Sequence, residues 1–170
     1  MLRPLALALL ICSAPGLGQD RNPQIDYAGF QQLTGKVAID RQQRLLTWDA
    51  FQSAARQPDT LILDARSADA YAAGHIRGAV NLPLTDFTAA NLARVIGRKD
   101  RAILIYCNNN FVNDQPPVPK KAIELALNIQ TFINLVGYGY PNVHELNEVV
   151  DFSDPKIGWV KGHSPAGDAA

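Results

Sequence analysis

Cys107 is the residue in this sequence whose type and position are best suited to chemistry. It directly follows a short apolar run, residues 102–106, and the segment "CNNNFVNDQPPVPKK" places a run of three asparagines and then three prolines before the next helix-forming residues. A thiol attacks as its thiolate, which is favoured by backbone N–H groups in a strand-to-helix loop and by the positive end of the following helix. The pattern therefore predicts that Cys107 is a nucleophile with a lowered pKa.

The side chains around this cysteine indicate a cradle for a small anion. Asn108, Asn109 and Asn110 tolerate unusual backbone conformations and bring neutral amide donors. Lys120 and Lys121 stand where the next helix is expected to begin, and cations are unfavourable there unless an anion binds nearby. We predict that the three asparagines and Lys120 bind an anion. A buried structural cysteine beside a solvated turn is the open alternative.

Composition and charge restrict the classes of function. The 170 residues suit one domain, and 47% hydrophobic with 19% charged residues is typical of a soluble globular protein. Sixteen basic residues balance sixteen acidic ones, so no overall field attracts nucleic acid or an anionic membrane. The sequence lacks clustered His and Cys residues and a nucleotide-binding glycine pattern, so we predict neither a metal site nor a cofactor.

Residues 1–18 have the layout of a secretory signal peptide. A short basic start precedes an apolar run, residues 5–12, and small residues follow. The run is much shorter than the ~20 residues that span a bilayer, so we predict an exported protein, periplasmic or secreted, without stable membrane insertion. Loss of Cys12 with the signal would leave Cys107 as the single thiol, unable to form an internal disulfide. A hydrophobic N-terminus on a cytosolic protein is the alternative.

The elements that must position Cys107 alternate between strands and helices. Short apolar runs predict strands at residues 60–66, 78–83, 102–106 and 141–146. Capping and first-turn residues predict helices that begin near Thr47, Ser67, Thr85–Asp86 and Pro119. This alternation is typical of a parallel sheet covered on both faces. Residues 19–44 are predicted to form a loosely structured lead-in with an edge strand near 37–39, and residues 151–170 a loose tail.

The segment "LILDARSADAYAAGHIRGAVNLP" resembles the first signature of rhodanese-like domains. The positions that match in register are Asp64, Arg66, Tyr71, Gly74, His75, Ile76, Gly78, Ala79, Asn81 and Pro83. The resemblance extends over residues 45–150, because a strand ending in Cys107, a long helix and "GYGYPNVHEL" follow in the family's order. It implies a single α/β domain with a five-stranded parallel sheet flanked by helices on both faces. It also implies that Cys107 carries a persulfide sulfur during transfer.

Around the cysteine the sequence departs from the family it resembles. Single-domain sulfurtransferases have Gly three positions and Arg five positions after the cysteine, where this chain has Asn110 and Val112. The related cell-cycle tyrosine phosphatases have Arg six positions after it, where this chain has Asn113. The loop 108–119 is also longer than the family's compact loop.

Three residues of the first signature have individual predictions. Asp64 and Arg66 are expected to form an ion pair that holds loops near the site, with Arg66 as a candidate contact for a bound anion. His75 is expected to hydrogen-bond to backbone between two strands rather than to take part in chemistry.

Taken together, the residues and the resemblance favour a sulfurtransferase of the thiosulfate sulfurtransferase class. Cys107 is expected to take a sulfane sulfur from a donor such as thiosulfate and to pass it to a thiophilic acceptor. The expected partners are a small sulfur-containing anion or thiol, with a protein as one candidate acceptor, and no nucleic acid. One alternative is a non-catalytic binding module that uses the loop 108–119. The other is a cysteine-dependent phosphatase or arsenate-handling enzyme, which Asn113 disfavours.

Overall fold

Five short parallel strands form the central sheet of this computed structural model, which describes residues 22–162. In chain order its strands are β1 (Leu45–Leu46), β2 (Leu61–Asp64), β4 (Ala79–Asn81), β5 (Ile103–Tyr106) and β6 (Val143–Leu146). They are arranged in the order β1-β6-β5-β2-β4. Two further strands, β3 (His75–Ile76) and β7 (Trp159–Val160), form a small antiparallel sheet. The predicted five-stranded parallel sheet is confirmed, and the predicted signal peptide, residues 1–18, lies outside the described residues.

Helices cover both faces of the central sheet, as predicted. They are α1 (Tyr27–Arg41), α2 (Trp48–Ala55), α3 (Ala68–Ala73), α4 (Ala89–Ile96) and α5 (Leu127–Gly137). Alternate residues of β2 and β5 belong to two separate apolar layers, with Leu63 and Ile105 in one layer and Ile62 and Leu104 in the other. A strand buried on both faces has no polar alternation, which explains why both strands read as continuous apolar runs.

The prediction of a loosely structured lead-in at residues 19–44, with an edge strand near 37–39, is wrong. Residues 27–41 form α1, and the carboxylate of Asp26 caps its start by accepting a hydrogen bond of 2.7 Å from the Gly29 N–H. Val37 is the residue of this helix that is buried in the core, whereas Tyr27 and Ile39 are exposed. Because the apolar side chains are spread around the helix, the sequence carries no period of 3.6 residues to reveal it.

The starts of the other helices are partly as predicted. The side chains of Thr47 and Ser67 cap α2 and α3 by accepting hydrogen bonds of 3.3 Å from the N–H groups of Ala50 and Ala70. The predicted start of α4 at Thr85–Asp86 is wrong, since residues 84–86 form a 3-10 turn. The hydroxyl of Thr88 caps that helix instead.

The predicted start of the long helix at Pro119 is also wrong, because α5 begins eight residues later, at Leu127. The backbone N–H groups of Lys120 and Lys121 donate to the side chains of Asp114 and Asn109 at 2.9 and 3.0 Å. These side-chain acceptors compete with helix formation. Only a 3-10 turn at residues 123–125 precedes the helix. The extended loop is therefore longer than the sequence indicates.

Residues 151–162 of the predicted loose tail are folded onto the domain, so that prediction is wrong for these residues; the rest of the tail lies outside the described residues. Strand β7 pairs antiparallel with β3, and Trp159 stacks on Phe152 with ring centroids 5.1 Å apart. Trp159 also meets the ring of Phe111 edge-on at 5.0 Å. The C-terminal segment thus packs against the loop that follows Cys107. Within residues 22–162, no helix combines the length and apolar composition that a membrane span requires.

Candidate active site

Cys107 lies at the carboxyl end of β5, the middle strand of the central sheet. A 3-10 turn at residues 108–110 follows it directly. In open parallel sheets, ligands bind beyond the carboxyl ends of the strands, so the cysteine stands where such sites form. Its exposure is only 1%, and it is among the residues that line a cavity.

The electrostatic surroundings of the thiol contain the predicted amide donors, but they do not determine the sign of the pKa shift. Burial raises the pKa of Cys107, and the Glu145 carboxylate adds to the rise. The backbone N–H groups of Asn128, Asn109 and Leu127 favour the thiolate and oppose both effects. The net pKa is raised, so the predicted lowering of the pKa is wrong. The reason is desolvation, which disfavours the charged form of a buried thiol.

The side chain of Asn110 fixes the backbone at Cys107. Its side-chain oxygen accepts a hydrogen bond of 2.9 Å from the Cys107 N–H, and its amide donates to the carbonyls of Leu146 and Glu148 at 2.8 and 3.1 Å. The same oxygen accepts a hydrogen bond of 3.0 Å from the side-chain amide of Asn128. The buried asparagine therefore joins the ends of β5 and β6.

Asn108 and Asn109 close the extended loop on itself. The Asn108 amide donates to the Pro119 carbonyl at 2.8 Å, and the Asn109 amide donates to the Lys121 carbonyl at 2.8 Å. Lys120 is exposed, and it is not among the residues that line the cavity beside Cys107. The structure thus brings Asn109 and Asn110 to that cavity and leaves Lys120 outside it.

Arg66 belongs to a buried ion pair, as predicted from the sequence. Its guanidinium donates to both carboxylate oxygens of Asp64, at 2.5 to 3.1 Å, and to the carbonyls of Gly74 and Pro117 at 2.7 and 3.3 Å. The Tyr106 hydroxyl donates to the same carboxylate at 2.6 Å. With both partners buried, this arginine holds the strand end and the extended loop together, and each of its three guanidinium nitrogens donates a hydrogen bond.

The predicted backbone contact of His75 is present, but with a different partner than expected. His75 Nδ1 lies 2.9 Å from the Tyr71 carbonyl oxygen, and its ring stacks on that of Tyr71 at 3.8 Å. This backbone contact lies within one turn rather than between two strands. Asn113, which stands where phosphatases have Arg, donates to Asp151 Oδ1 at 2.7 Å and accepts from the Phe152 N–H at 3.2 Å. Its side chain ties the loop to the C-terminal segment.

The cavity beside Cys107 has a volume of about 240 Å³. The charged side chains that line it are Arg41, Glu145 and Glu148. A larger cavity of about 500 Å³ lies beside the extended loop, but its lining includes Arg66 and not Cys107. Among the described residues, no group of three or more His, Cys, Asp or Glu stands together as a metal site would require.

Sequence reasoning missed several polar residues that line the Cys107 cavity, among them Glu145, Asn128 and Arg41. Glu145 was visible as a charged residue within a buried strand, and Asn128 as an amide within an apolar helix. Both are signals of a buried polar role, because such groups are rarely buried without partners. Arg41 carried no such signal, since it ends a helix that the sequence did not reveal.

The matched family is described as the rhodanese-like domain, and its model covers residues 47–148, more than half of the chain. No curated protein matches the sequence. Among solved structures, wild-type EanB is 28% identical with a TM-score of 0.42, and the match covers 59% of this chain and 23% of that one. This chain therefore spans about a quarter of EanB.

Two further solved structures are similar to this chain. A rhodanese with anions from E. coli is 22% identical with a TM-score of 0.40, over 61% of this chain and 99% of that one. A rhodanese-like domain of the Alr3790 protein from Anabaena sp. is 23% identical with a TM-score of 0.41, over 62% of this chain and 95% of the other.

Proposed function

We propose that this chain, which belongs to the rhodanese-like domain family, is a sulfurtransferase that carries a sulfane sulfur on Cys107. The Cys107 thiolate attacks the outer sulfur of a donor such as thiosulfate. The sulfur–sulfur bond of the donor breaks, and the leaving group, sulfite for thiosulfate, departs with the electron pair. A thiophilic acceptor then attacks the outer sulfur of the persulfide, and Cys107 leaves as its thiolate.

The observation that carries this proposal is the placement of Cys107 between backbone N–H groups and a cavity. The N–H groups of Asn128, Asn109 and Leu127 favour negative charge on its sulfur, and two of them belong to the first turn of α5. Fixed donors of this kind stabilise charge that develops during a reaction. The adjoining cavity of about 240 Å³ has room for an outer sulfur and a small donor.

The charges of the cavity bear on the choice of donor. Its lining has two carboxylates and one arginine, and Arg41 is already paired with Glu145. A dianion such as thiosulfate meets a lining without an unpaired cation, so we expect a thiol-derived persulfide or polysulfide to be the better donor. The proposed acceptor is a small thiol or a protein cysteine, and the proposed location is outside the cytoplasm, in the periplasm or secreted.

Persulfide formation tests the proposed function directly. Purified protein is treated with thiosulfate or with a small-molecule persulfide, and its intact mass is measured before and after reduction. We expect one additional sulfur atom that reduction removes, and thiocyanate when cyanide is added as the acceptor. Cys107→Ser is expected to abolish both signals, and Cys12→Ser in full-length protein that retains residues 1–18, the matched control, to retain them. Equal thiocyanate rates from wild type and Cys107→Ser would contradict the proposal.

A non-catalytic binding module is the second candidate, and the burial of Cys107 favours it. Several apolar side chains near the loop and the cavity mouth are exposed: Val112, Ile123, Leu125 and Val149. This candidate predicts no persulfide with any donor. It also predicts a bound partner whose affinity survives Cys107→Ser but falls when residues 111–118 are shortened.

A further inference from the structure

Arg41 and Glu145 form a two-pronged ion pair at the edge of the Cys107 cavity. Arg41 Nε lies 2.5 Å from Glu145 Oε2, and Arg41 Nη2 lies 2.7 Å from Oε1. The Glu145 side chain is 6% exposed and that of Arg41 is 32% exposed. Arg41 is the last residue of α1, so this cation comes from outside the segment matched by the family, residues 47–148.

A short chain of hydrogen bonds connects Glu145 to Cys107. The Asn128 side-chain amide donates to Glu145 Oε1 at 3.2 Å and to Asn110 Oδ1 at 3.0 Å, and that Asn110 oxygen accepts from the Cys107 N–H. Asn128 is only 4% exposed, and its own side-chain oxygen has no hydrogen-bond partner. A buried acceptor without a hydrogen-bond partner therefore belongs to a side chain that lines the cavity.

The charges that face the thiol are few. From α1 comes Arg41, from β6 comes Glu145, and after β6 comes Glu148, whose carboxylate accepts a hydrogen bond of 2.7 Å from the Trp48 N–H. The residues of the loop and of α5 that line the cavity are uncharged. An unpaired carboxylate beside a buried thiol opposes ionisation, and a cation on that carboxylate reduces the opposition.

We propose that Arg41 and Glu145 act as a charge couple that sets how readily Cys107 ionises. Burial already favours the protonated thiol and Glu145 adds to this effect, whereas Arg41 is a positioning residue that limits the Glu145 contribution by clamping the carboxylate. The purpose of the couple rests on the proposed function, since a sulfur carrier needs a thiolate. Its effect on ionisation is measured without any sulfur donor.

Arg41 does not serve as a clamp for a small anion in this arrangement. Its Nε and Nη2 groups both donate to Glu145. An anion that took Arg41 would leave the Glu145 charge unpaired in a buried position, which is strongly unfavourable. The couple is therefore expected to persist while substrates bind.

The pH dependence of Cys107 alkylation tests the couple. Iodoacetamide labelling of the tryptic peptide 102–120 follows this thiol separately from Cys12. We expect Arg41→Gln to raise the midpoint by roughly one pH unit, so that labelling below the midpoint is about tenfold slower. Glu145→Gln should lower it by roughly one unit, with about tenfold faster labelling. Arg44→Gln is the matched control, because Arg44 binds Asn142 and contacts His144 instead.

Two further variants keep the test decisive. Arg41→Lys should restore part of the wild-type midpoint, and Arg41→Gln combined with Glu145→Gln should return to within about half a unit of wild type. If Arg41→Gln fails to fold, judged by circular dichroism, Glu145→Gln and the double variant decide. The inference is overturned if Glu145→Gln does not lower the midpoint by at least about half a unit, or if a folded Arg41→Gln does not raise it by that amount. If the variants shift the alkylation midpoint as expected but the wild-type protein transfers no sulfur, the proposed function is contradicted and the charge couple is not.

Discussion

The side-chain oxygen of Asn110 accepts the backbone N–H of Cys107 at 2.9 Å, so the residue that stands in place of the family's loop glycine holds the cysteine's own backbone. The amide of the same side chain reaches across to the end of β6. The conformation at the nucleophile is therefore fixed by a buried side chain. A glycine at this position would leave these backbone groups without that partner.

Asn110→Ala is expected to destabilise the protein. It removes hydrogen bonds to the Cys107 N–H and to the carbonyls of Leu146 and Glu148, which are left without this partner. We expect the free energy of unfolding to fall by about 2–4 kcal/mol in urea titrations. Asn109→Ala is the matched control, and its loss should stay below about 1 kcal/mol because its bonds lie at the exposed loop. Equal losses for the two variants would contradict the assigned role.

The reactivity of Cys107 is expected to rise steeply in alkali. Its pKa is raised by burial and by Glu145, so the thiolate fraction keeps growing above the ordinary thiol value of about 8.5. The rates at which iodoacetamide labels peptide 102–120 between about pH 6 and about pH 10 give the pH at which half of the Cys107 thiol is ionised. A midpoint below about 8.5 would contradict the raised pKa.

The same shift affects stability with a definite sign. A thiol whose pKa is higher in the folded state stabilises that state while it is protonated, and this contribution disappears as pH rises through the folded pKa. Cys107→Ser should therefore lose less stability than wild type on going from neutral to strongly alkaline conditions. Parallel urea titrations at both pH values check this, and identical losses would speak against it.

The buried ion pair at Arg66 is expected to be a major determinant of stability. Arg66→Ala leaves the Asp64 carboxylate buried without its cation and releases the carbonyls of Gly74 and Pro117. Breaking a buried pair in this way costs about 3–5 kcal/mol. Arg98→Ala removes the exposed pairs with Asp59 and Asp100 and should change thermal stability little. Comparable losses would show that the Arg66 pair is not the stronger of the two.

Two glycine substitutions should have opposite effects. A Cβ at Gly74 would clash with the indole ring of Trp159, so Gly74→Ala must displace strand β7. The free energy of unfolding should fall by about 1–3 kcal/mol. A Cβ at Gly35 meets no atom within 4 Å and lies inside α1, so Gly35→Ala should stabilise by about 0.5–1 kcal/mol. Thermal unfolding of both variants and of the wild type measures the two stability changes. A stabilising Gly74→Ala would mean that Trp159 does not pack there.

The parts of the fold that the sequence predicts are those with local signals. Continuous apolar runs predict β2 and β5, and the side chains of Thr47 and Ser67 mark the starts of their helices because the capping bond joins residues three apart. The start of α5 escapes prediction because "PPVPKKA" has the appearance of a helix start. In the folded chain, however, Asp114 and Asn109 capture the N–H groups that a helix would use.

The sequence predicts that Cys107 lies at the end of a strand, but it does not predict which charged side chains surround this cysteine. Cys107 follows from its place at a strand end, whereas the depth of its burial depends on how the loop and α5 pack over it. The contact between Arg41 and Glu145 joins residues 104 positions apart in the chain, and no short-range pattern encodes it. Long-range contacts of this kind require the folded structure.

The position of α1 ahead of the family boundary has a practical consequence. A fragment trimmed to residues 47–148 would discard Arg41 and leave Glu145 without its counter-ion, although every residue of the recognised domain would be retained. In such a fragment the proposed charge couple would be broken, so a pKa measured for Cys107 would differ from that of the intact protein. Under the proposed charge couple, the functional unit extends beyond the segment that the family matches, and expression should begin upstream of Tyr27.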